Sequence, residues 1–150
     1  KRGHKAGQFN HPTQLAVSHD GSLIVLDAGN FRVQVFDDQG NYLKQWGRPG
    51  NKSGNFARPR GIAVDLQNRV YVTDGAYQNY QIFNSQGQLL IDVGQGGSVD
   101  QPGKYILPAG IAVDETGRIY IVDQIQKKVE VFRLLSKSEG QSILKSGKTE

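Results

Sequence analysis

Residues 12–38 read PTQLAVSHDGSLIVLDAGNFRVQVFDD, and the same pattern returns as PRGIAVDLQNRVYVTDGAYQNYQIFNS at residues 59–85 and as PAGIAVDETGRIYIVDQIQKKVEVFRL at residues 108–134. The copies are 47 and then 49 residues apart, and each keeps its register without an internal gap. The equivalent acidic and aromatic positions are Asp27, Asp74 and Asp123, and Phe36, Phe83 and Phe132. A period in the forties with several short apolar runs is typical of a β-propeller blade. The sequence therefore predicts an array of blades.

Each copy predicts four strands, which in the first copy are residues 15–18, 23–27, 32–37 and 42–45. Turns that contain glycine separate the strands, as tight hairpins require. The second strand is a nearly continuous apolar run, which predicts a mid-blade strand covered on both faces. The third strand alternates apolar and polar residues, as in Lys128, Val129, Glu130 and Val131, which predicts one buried and one solvent face.

The end of the chain supports two interpretations. Residues 139–147 (EGQSILKSG) match residues 86–94 (QGQLLIDVG) once extra turn residues are allowed, which predicts a fourth strand for the third blade. The predicted organisation is then an inter-blade loop at 1–11, blade one at 12–47, blade two at 59–94 and blade three at 108–147. Alternatively, residues 136–150 form a flexible tail, because Ser, Lys and Gly are frequent in such tails.

Four segments of the pattern carry a family resemblance: P-x-G-I-A-V-D, G-x-I-Y-V-x-D, N-x-R-V-Q-V-F, and F-x-x-P before the next copy. Together they resemble the NHL repeat over essentially the whole chain. The resemblance implies an all-β fold, with three four-stranded antiparallel blades of a propeller that usually has six. The family includes Brat-type RNA regulators, bacterial sensor-kinase ectodomains and peptide-amidating lyases, so the resemblance indicates architecture rather than activity.

Three blades cannot close a ring, because propellers are typically built from four to eight. The ring is expected to be completed by blades missing from this chain or by a second copy, which would form a homodimer around a two-fold axis. The chain begins with Lys1 and contains no methionine, which favours a piece of a longer chain over the homodimer.

Composition excludes some classes of site. The chain has no cysteine, which excludes disulfides, thiolate metal sites and cysteine nucleophiles. Its apolar runs are shorter than a membrane-spanning helix needs, so no membrane insertion is expected. Segments typical of tripartite-motif relatives, such as a ring or zinc box, are absent, which favours a secreted or periplasmic bacterial protein over a cytoplasmic one.

The net charge of +4 is expected to be divided between the two ends of the propeller. We call the end with the strand-two-to-three turns and the inter-blade loops the loop end, and the opposite end the hairpin end. Cations are predicted to predominate at the loop end and carboxylates at the hairpin end, which would concentrate an anionic partner at the loop end. The candidate binding residues there are Arg32, Arg48, Lys52, Arg58, Arg60, Tyr77, Asn79, Lys104, Tyr105, Lys127 and Lys128. Two alternatives remain open: the charges serve solubility alone, and the two tyrosines pack between blades.

The pattern predicts no catalytic residue, metal site or cofactor. His4, His11 and His19 fall at unrelated points of the repeat, so they do not form a ring of metal ligands. Asp65 and Asp114 are either calcium ligands at the channel mouth or, as we favour, acceptors for turn N–H groups. The three aspartates of the repeat (Asp27, Asp74 and Asp123) recur in every copy, which favours a structural role over a catalytic one.

These observations favour a non-catalytic binding or scaffold module that presents its inter-blade loops to a protein, a peptide or another anionic partner. One alternative is an RNA-binding propeller, because basic groups near aromatic rings suit single-stranded nucleic acid. Another is part of a metal-dependent lyase or hydrolase whose catalytic residues lie in absent blades.

Overall fold

The computed structural model describes residues 1–98 and 101–146, and it contains three antiparallel sheets that correspond to the three copies. Blade one consists of β1 (Pro12–Val17), β2 (Leu23–Asp27), β3 (Arg32–Phe36) and β4 (Tyr42–Trp46). Blade two consists of β5 (Pro59–Val64), β6 (Val70–Asp74), β7 (Asn79–Phe83) and β8 (Leu89–Val93). A short parallel pair, β9 (Gln95–Gly96) and β10 (Lys104–Tyr105), precedes blade three, which consists of β11 (Pro108–Val113), β12 (Arg118–Asp123) and β13 (Lys128–Arg133).

The strand order in each blade follows the chain, so the all-β propeller-blade architecture is confirmed. The first strand of each copy begins at its proline, three residues earlier than predicted for blade one, and has a bulge after that proline. The second strand lies between the first and third, as predicted. The inner strands lie side by side, with β5 between β1 and β11.

The predicted fourth strand of blade three is wrong. Lys137–Ser146 forms helix α1 instead, and Gly147 of the prediction lies outside the described residues, as do residues 148–150 of the predicted tail. In blades one and two, Asp37 Oδ1 and Asn84 Oδ1 each accept two backbone N–H groups that close the hairpin into the fourth strand. Arg133 stands at that position in blade three and cannot accept a hydrogen bond there.

The sequence at the start of helix α1 contains an N-terminal capping signal, which the match of residues 139–147 to residues 86–94 did not take into account. Ser136 Oγ accepts the N–H of Glu139 at 3.2 Å, and Glu139 Oε2 accepts the N–H of Ser136 at 2.8 Å. This reciprocal arrangement is a capping box. Glu139 also forms an ion pair with Arg133 at 2.8 Å, which holds the pKa of this glutamate down at about 2. The residue that prevents the hairpin therefore also anchors the helix.

The predicted solvent face of the third strand is wrong for blades one and two. Arg32 and Gln34 of β3 are 5% and 0% exposed, and Gln81 of β7 is 1% exposed. Only β13 alternates between half-buried and exposed residues, because no further blade of this chain covers its outer face. A third strand in the middle of an array is thus buried on both faces, and its polar side chains need internal partners.

The hydrophobic core is divided between the blade interfaces. One cluster joins blade one to blade two and includes Leu26, Val33, Phe56, Val72 and Phe83. A second cluster joins blade two to blade three and includes Tyr71, Tyr80, Ile82, Tyr105 and Ile121. Neighbouring blades are therefore held together mainly by apolar burial.

Blade three has an uncovered apolar face. Val122, Val129 and Val131 are 41%, 60% and 54% exposed. Their equivalents in blade one, Leu26, Val33 and Val35, are 0%, 0% and 4% exposed because blade two packs against them. The three-blade array is thus a partial ring with an interface that this chain alone does not fill. In the part of the chain that the structure describes, no helix has the length and apolar character needed to cross a membrane.

Candidate binding face at the loop end

The loop end contains three inter-blade loops, and each is fixed to the blade that follows it. We call them loop 1 (residues 1–11), loop 2 (48–58) and loop 3 (95–107, without residues 99 and 100). A buried aspartate at the end of each second strand accepts backbone N–H groups from the loop. Asp27 binds Asn10 at 2.7 Å, Asp74 binds Ala57 at 2.8 Å, and Asp123 binds Ile106 at 2.7 Å.

These repeated aspartates do more than the turn-capping role predicted for them. Asp74 also accepts the N–H groups of Ala76 and Tyr77, and Asp123 accepts those of Ile125 and Gln126. One carboxylate therefore joins the inter-blade loop to the turn between the second and third strands. The hydrogen bonds of Asp123 hold its pKa below the usual range, although burial alone would raise the pKa.

A second repeated contact comes from the middle of the third strand. Gln34 Oε1 accepts the N–H of Gly7 at 2.9 Å, and Gln81 Oε1 accepts that of Gly54 at 2.6 Å. In blade three the equivalent residue is Glu130, whose carboxylate accepts the N–H of Gly103 at 3.2 Å. This role was not predicted, because the alternating pattern of the third strand indicated a solvent face for its polar residues. The signal was available, since an acceptor recurs at this position in all three copies.

A third repeated contact reaches the start of each loop. Asn30 Nδ2 donates to the carbonyl of Gly3 at 2.9 Å, and Gln126 Nε2 donates to the carbonyl of Gly97 at 3.0 Å. Tyr77 stands at the same position of blade two, and its hydroxyl donates to the carbonyl of Gly50. Each loop is therefore attached by three side chains to the blade that follows it.

The structure divides the predicted binding residues into surface and interior groups. Arg48, Lys52, Arg58 and Lys127 are exposed, and Arg60 and Lys104 are half-buried. Arg60 Nη2 donates to Gln124 of blade three at 3.1 Å, and Lys104 Nζ donates to Gln95 at 2.8 Å. These six cations are the part of the predicted face that a partner could reach.

Of the other five candidates, two are buried and three are half-buried. Arg32 and Tyr105 are buried, so they are corrections to the predicted face. Burial raises the pKa of the Tyr105 phenol, and the ring packs in the core between blades two and three. Tyr77 and Asn79 are half-buried, and Lys128 forms an ion pair with Glu130 at 2.6 Å. Three of them, Arg32, Tyr77 and Lys128, donate hydrogen bonds to backbone carbonyls of the inter-blade loops.

The accessible cations are not neutralised within the array. In residues 1–98 and 101–146, no carboxylate lies within 4.0 Å of the charged nitrogens of Arg48, Lys52, Arg58 or Arg60. At the hairpin end, Arg69 pairs with Asp65 at 2.5 Å, whereas Arg118 has no ion pair in the described residues. The loop end therefore presents uncompensated positive charge, which attracts anions.

A shallow cavity of about 190 Å³ lies between the inner strands at the hairpin end, lined by residues that include His19, Asp65, Asp114 and Glu115. The carboxylates of Asp65 and Asp114 bind their own hairpins. Asp65 accepts from Arg69 and Tyr71, and Asp114 accepts from Thr116 and Tyr120. The Thr116 hydroxyl and nearby N–H groups lower the pKa of Asp114 to about 2. Both also accept turn N–H groups as predicted, Asp65 from Gln67 and Arg69 and Asp114 from Thr116 and Arg118. Among the described residues, no group of three or more His, Asp or Glu side chains is arranged to hold a metal ion.

Two family models match the sequence. That of the 6-bladed beta-propeller family matches residues 66–143, more than half of the chain, and that of the NHL repeat matches residues 9–36. A curated relative, Protein brain tumor of Drosophila melanogaster, is 41% identical over 44 residues, which cover 29% of this chain and 4% of that protein.

Solved structures give the same architecture. A structural genomics protein of unknown function from Bacteroides thetaiotaomicron aligns with a TM-score of 0.65 and 18% identity, over 79% of this chain and 34% of that one. A gluconolactonase from Xanthomonas campestris aligns with a TM-score of 0.54 and 23% identity, over 77% and 36%. At these identities the likeness is one of fold alone. The chain spans about a third of these solved chains and a small part of the curated relative.

Proposed function

The chain belongs to the 6-bladed beta-propeller family, and on that premise we propose that it is part of a non-catalytic binding module whose loop end holds an acidic peptide or protein segment. The observation that carries this proposal is the group of exposed, unpaired cations on loops that are fixed to the blades. Arg48, Lys52 and Arg58 come from loop 2, and Arg60 extends the group toward blade three through Gln124.

Rigidity supports the proposal. A flexible loop loses conformational entropy when it binds, whereas a loop that is already ordered loses less. Three side-chain attachments hold loop 2 before any partner arrives, from Asp74, Tyr77 and Gln81. The cations on its surface are consequently displayed at fixed backbone positions, which favours selective recognition of a matching pattern of carboxylates.

The test is the affinity for a fluorescein-labelled peptide of twenty glutamates, measured by fluorescence anisotropy. We expect the peptide to bind, with an affinity that falls steeply as salt is added. Replacing Arg58 and Arg60 by Glu should weaken binding at least about tenfold, because two attractive charges become repulsive.

Arg118→Glu is the matched control. Arg118 is an exposed arginine at the hairpin end, and its side chain forms no ion pair in the described part of the chain. Compared with Arg58→Glu alone, it carries the same change of charge to the opposite end of the blades, so its affinity should change by less than about twofold. Equal losses in the two variants would show a nonspecific effect of net charge and would overturn the proposal.

The same assay distinguishes the acidic-peptide proposal from the RNA-binding alternative. Single-stranded nucleic acid needs exposed rings on which bases stack. Of the two candidate rings, Tyr105 is buried and Tyr77 is half-buried and bonded to Gly50, so the accessible group consists of cations without a stacking surface. An oligouridine of the same charge should bind no more tightly than the glutamate peptide, and tighter binding of the oligouridine would favour the RNA alternative.

An enzymatic role would depend on residues of blades other than the three that this chain forms. On the inner strand β1 the exposed side chains of Leu15 and Val17 are apolar, and the carboxylates of Asp65 and Asp114 bind donors of their own hairpins. A lyase or hydrolase would thus need its reacting groups from elsewhere, and this piece would supply scaffold to it.

A further inference from the structure

Loop 1 surrounds a buried cationic side chain with main-chain carbonyls. Arg32 Nη2 donates to the carbonyls of Lys5 at 3.0 Å and Gln8 at 2.8 Å. Its Nη1 donates to the carbonyl of His4 at 2.9 Å and to Gln45 Oε1 at 2.9 Å. Its Nε pairs with the buried carboxylate of Asp27 at 2.9 Å. The guanidinium therefore occupies a position lined by oxygen atoms.

Loop 3 repeats this arrangement around a lysine. Lys128 Nζ lies 3.2 Å from the carbonyl of Lys104 and 3.5 Å from that of Gln101, and it pairs with Glu130. The two carbonyls are equivalent to those of Gln8 and Lys5, because the same 3.0 Å backbone hydrogen bond joins each pair, from Gln8 to Lys5 and from Lys104 to Gln101. The position thus accepts different cationic groups.

Loop 2 has the same carbonyls but lacks the cationic side chain. The N–H of Asn55 donates to the carbonyl of Lys52 at 3.0 Å, which reproduces the turn. The strand position opposite Asp74 is occupied by Asn79, whereas Arg32 stands opposite Asp27 and Lys128 stands opposite Asp123. An asparagine is neutral and too short to replace an arginine.

Two further features of blade two indicate missing positive charge. Asn79 Oδ1 is buried and has no hydrogen-bond donor in the described part of the chain. In addition, Asp92 stands opposite Gln81 where Gln45 stands opposite Gln34, so a carboxylate replaces the amide that binds Arg32 in blade one.

We propose that loop 2 binds a hard metal cation through the carbonyls of Lys52 and Asn55 and the side-chain oxygen of Asn79, at the position that Arg32 and Lys128 fill in the other blades. Oxygen ligands with nearby carboxylates are the donor set of Ca²⁺, and neutral carbonyls also suit alkali cations. The site is independent of the acidic-peptide function, because it uses main-chain oxygens and the Asn79 side chain and none of the charged groups of the surface cations.

The test is thermal unfolding of the EDTA-treated chain in choline chloride, with CaCl₂, KCl or NaCl added in separate series at constant ionic strength. A cation that binds only the folded state should raise Tm by about 5 to 10 °C at a hundredfold excess over its Kd. The arms of the experiment distinguish the divalent from the alkali cations. If none of the three salts raises Tm relative to choline chloride, the proposal is overturned.

Two variants, Asn79→Lys and Asn79→Leu, test whether the ion that raises Tm binds at Asn79. The lysine variant supplies a tethered cation, so its Tm without added metal should exceed that of the wild type and its response to the metal should disappear. The leucine variant should lose the response without gaining stability. A metal response that persists in Asn79→Lys would place the ion elsewhere and overturn the assignment.

A reciprocal variant keeps the test decisive if the Asn79 variants fold poorly. Lys128→Asn places an asparagine opposite Asp123, as Asn79 stands opposite Asp74, so the number of bound ions, measured by equilibrium dialysis and atomic absorption, should rise from one to two per chain. Lys127→Asn removes the same charge from an exposed neighbouring residue and should leave the number at one. An unchanged stoichiometry in Lys128→Asn would contradict the equivalence of the loops and overturn the proposal.

Discussion

At the residue scale, polar side chains in the interior determine where the inter-blade loops lie. Asp74 and Gln81 are almost fully buried, yet each binds backbone N–H groups of loop 2. A buried backbone N–H without an acceptor is costly, so a loop that runs over a blade needs such partners. The repeat therefore retains polar residues at positions where burial alone would favour apolar ones.

Asp123→Asn tests this role. The variant should lower the free energy of unfolding at pH 7 by about 1 to 3 kcal/mol, because an amide cannot accept all the N–H groups that the carboxylate accepts. The pKa of Asp123 is lowered in the folded state, so its stabilisation is complete above the ordinary aspartate pKa and is lost as the pH falls through the folded value. Urea unfolding at pH 7 and at pH 3 should thus show a smaller difference from the wild type at pH 3.

Asp38→Asn is the control, because Asp38 is exposed and its side chain has no hydrogen bond in the described part of the chain. It should change the free energy of unfolding by less than about 0.5 kcal/mol at either pH. A difference between wild type and Asp123→Asn that stays constant from pH 7 to pH 3 would contradict the proposed charge dependence.

The sequence predicted the strands better than the roles of the polar residues. The second strand of blade one was predicted at its observed bounds, since a short apolar run between turns that contain glycine is too short for a helix. The alternation in β3 was misread, because burial of Gln34 depends on a loop 26 residues away that sequence patterns do not place. Two of the eleven candidate binding residues were wrong for the same reason, because Arg32 has loop partners and Tyr105 packs in the core between blades two and three.

At the element scale, the inner strands of neighbouring blades approach so closely that one position admits only glycine. A Cβ added at Gly61 would lie 2.3 Å from the carbonyl oxygen of Ala109 in blade three. Thr73 completes this junction: its hydroxyl donates to that carbonyl at 2.9 Å and accepts the N–H of Gly61 at 2.9 Å. The contact between β5 and β11 is thus a polar junction on the inner side of an apolar interface.

Gly61→Ala and Gly110→Ala form a matched pair for this junction. Gly61→Ala should lower the free energy of unfolding by about 1 to 3 kcal/mol, because the strands must separate to admit the methyl group. Gly110 is the equivalent residue of blade three, where an added Cβ would meet Val122 at an ordinary 3.5 Å. Its alanine variant should unfold at nearly the wild-type urea concentration. Equal losses in the two variants would show that the close approach of β5 and β11 is not the cause.

At the scale of the whole molecule, the uncovered face of blade three determines how the chain behaves alone. The apolar side chains of Val122, Val129 and Val131 form part of it, and each is buried at the equivalent position of blade one. Contiguous apolar surface of this kind marks an interaction site or a cause of aggregation. A fourth blade of a longer chain or a second copy of this chain would cover it, and both would extend the ring.

Val131→Glu should reduce self-association of the isolated chain, because a charge on this face opposes its burial. Static light scattering over a range of concentrations should give a lower average mass for the variant than for the wild type. Gln39→Glu introduces the same charge on an exposed turn of blade one and should leave the mass unchanged. A wild-type chain that is monomeric at every concentration would contradict this expectation, and one that is twice the chain mass at every concentration would favour the homodimer.

The attachment of each loop to the blade after it sets the natural unit for protein engineering. Loop 2 precedes blade two in the chain, and its side-chain attachments come from Asp74, Tyr77 and Gln81 of that blade. A cassette for consensus design or blade transplantation should accordingly start at Arg48 and run through Val93. The sequence pattern itself begins at Pro59. A cut there would separate the side chains of Asp74, Tyr77 and Gln81 from loop 2, so in the grafted blade they would lack these hydrogen-bond partners.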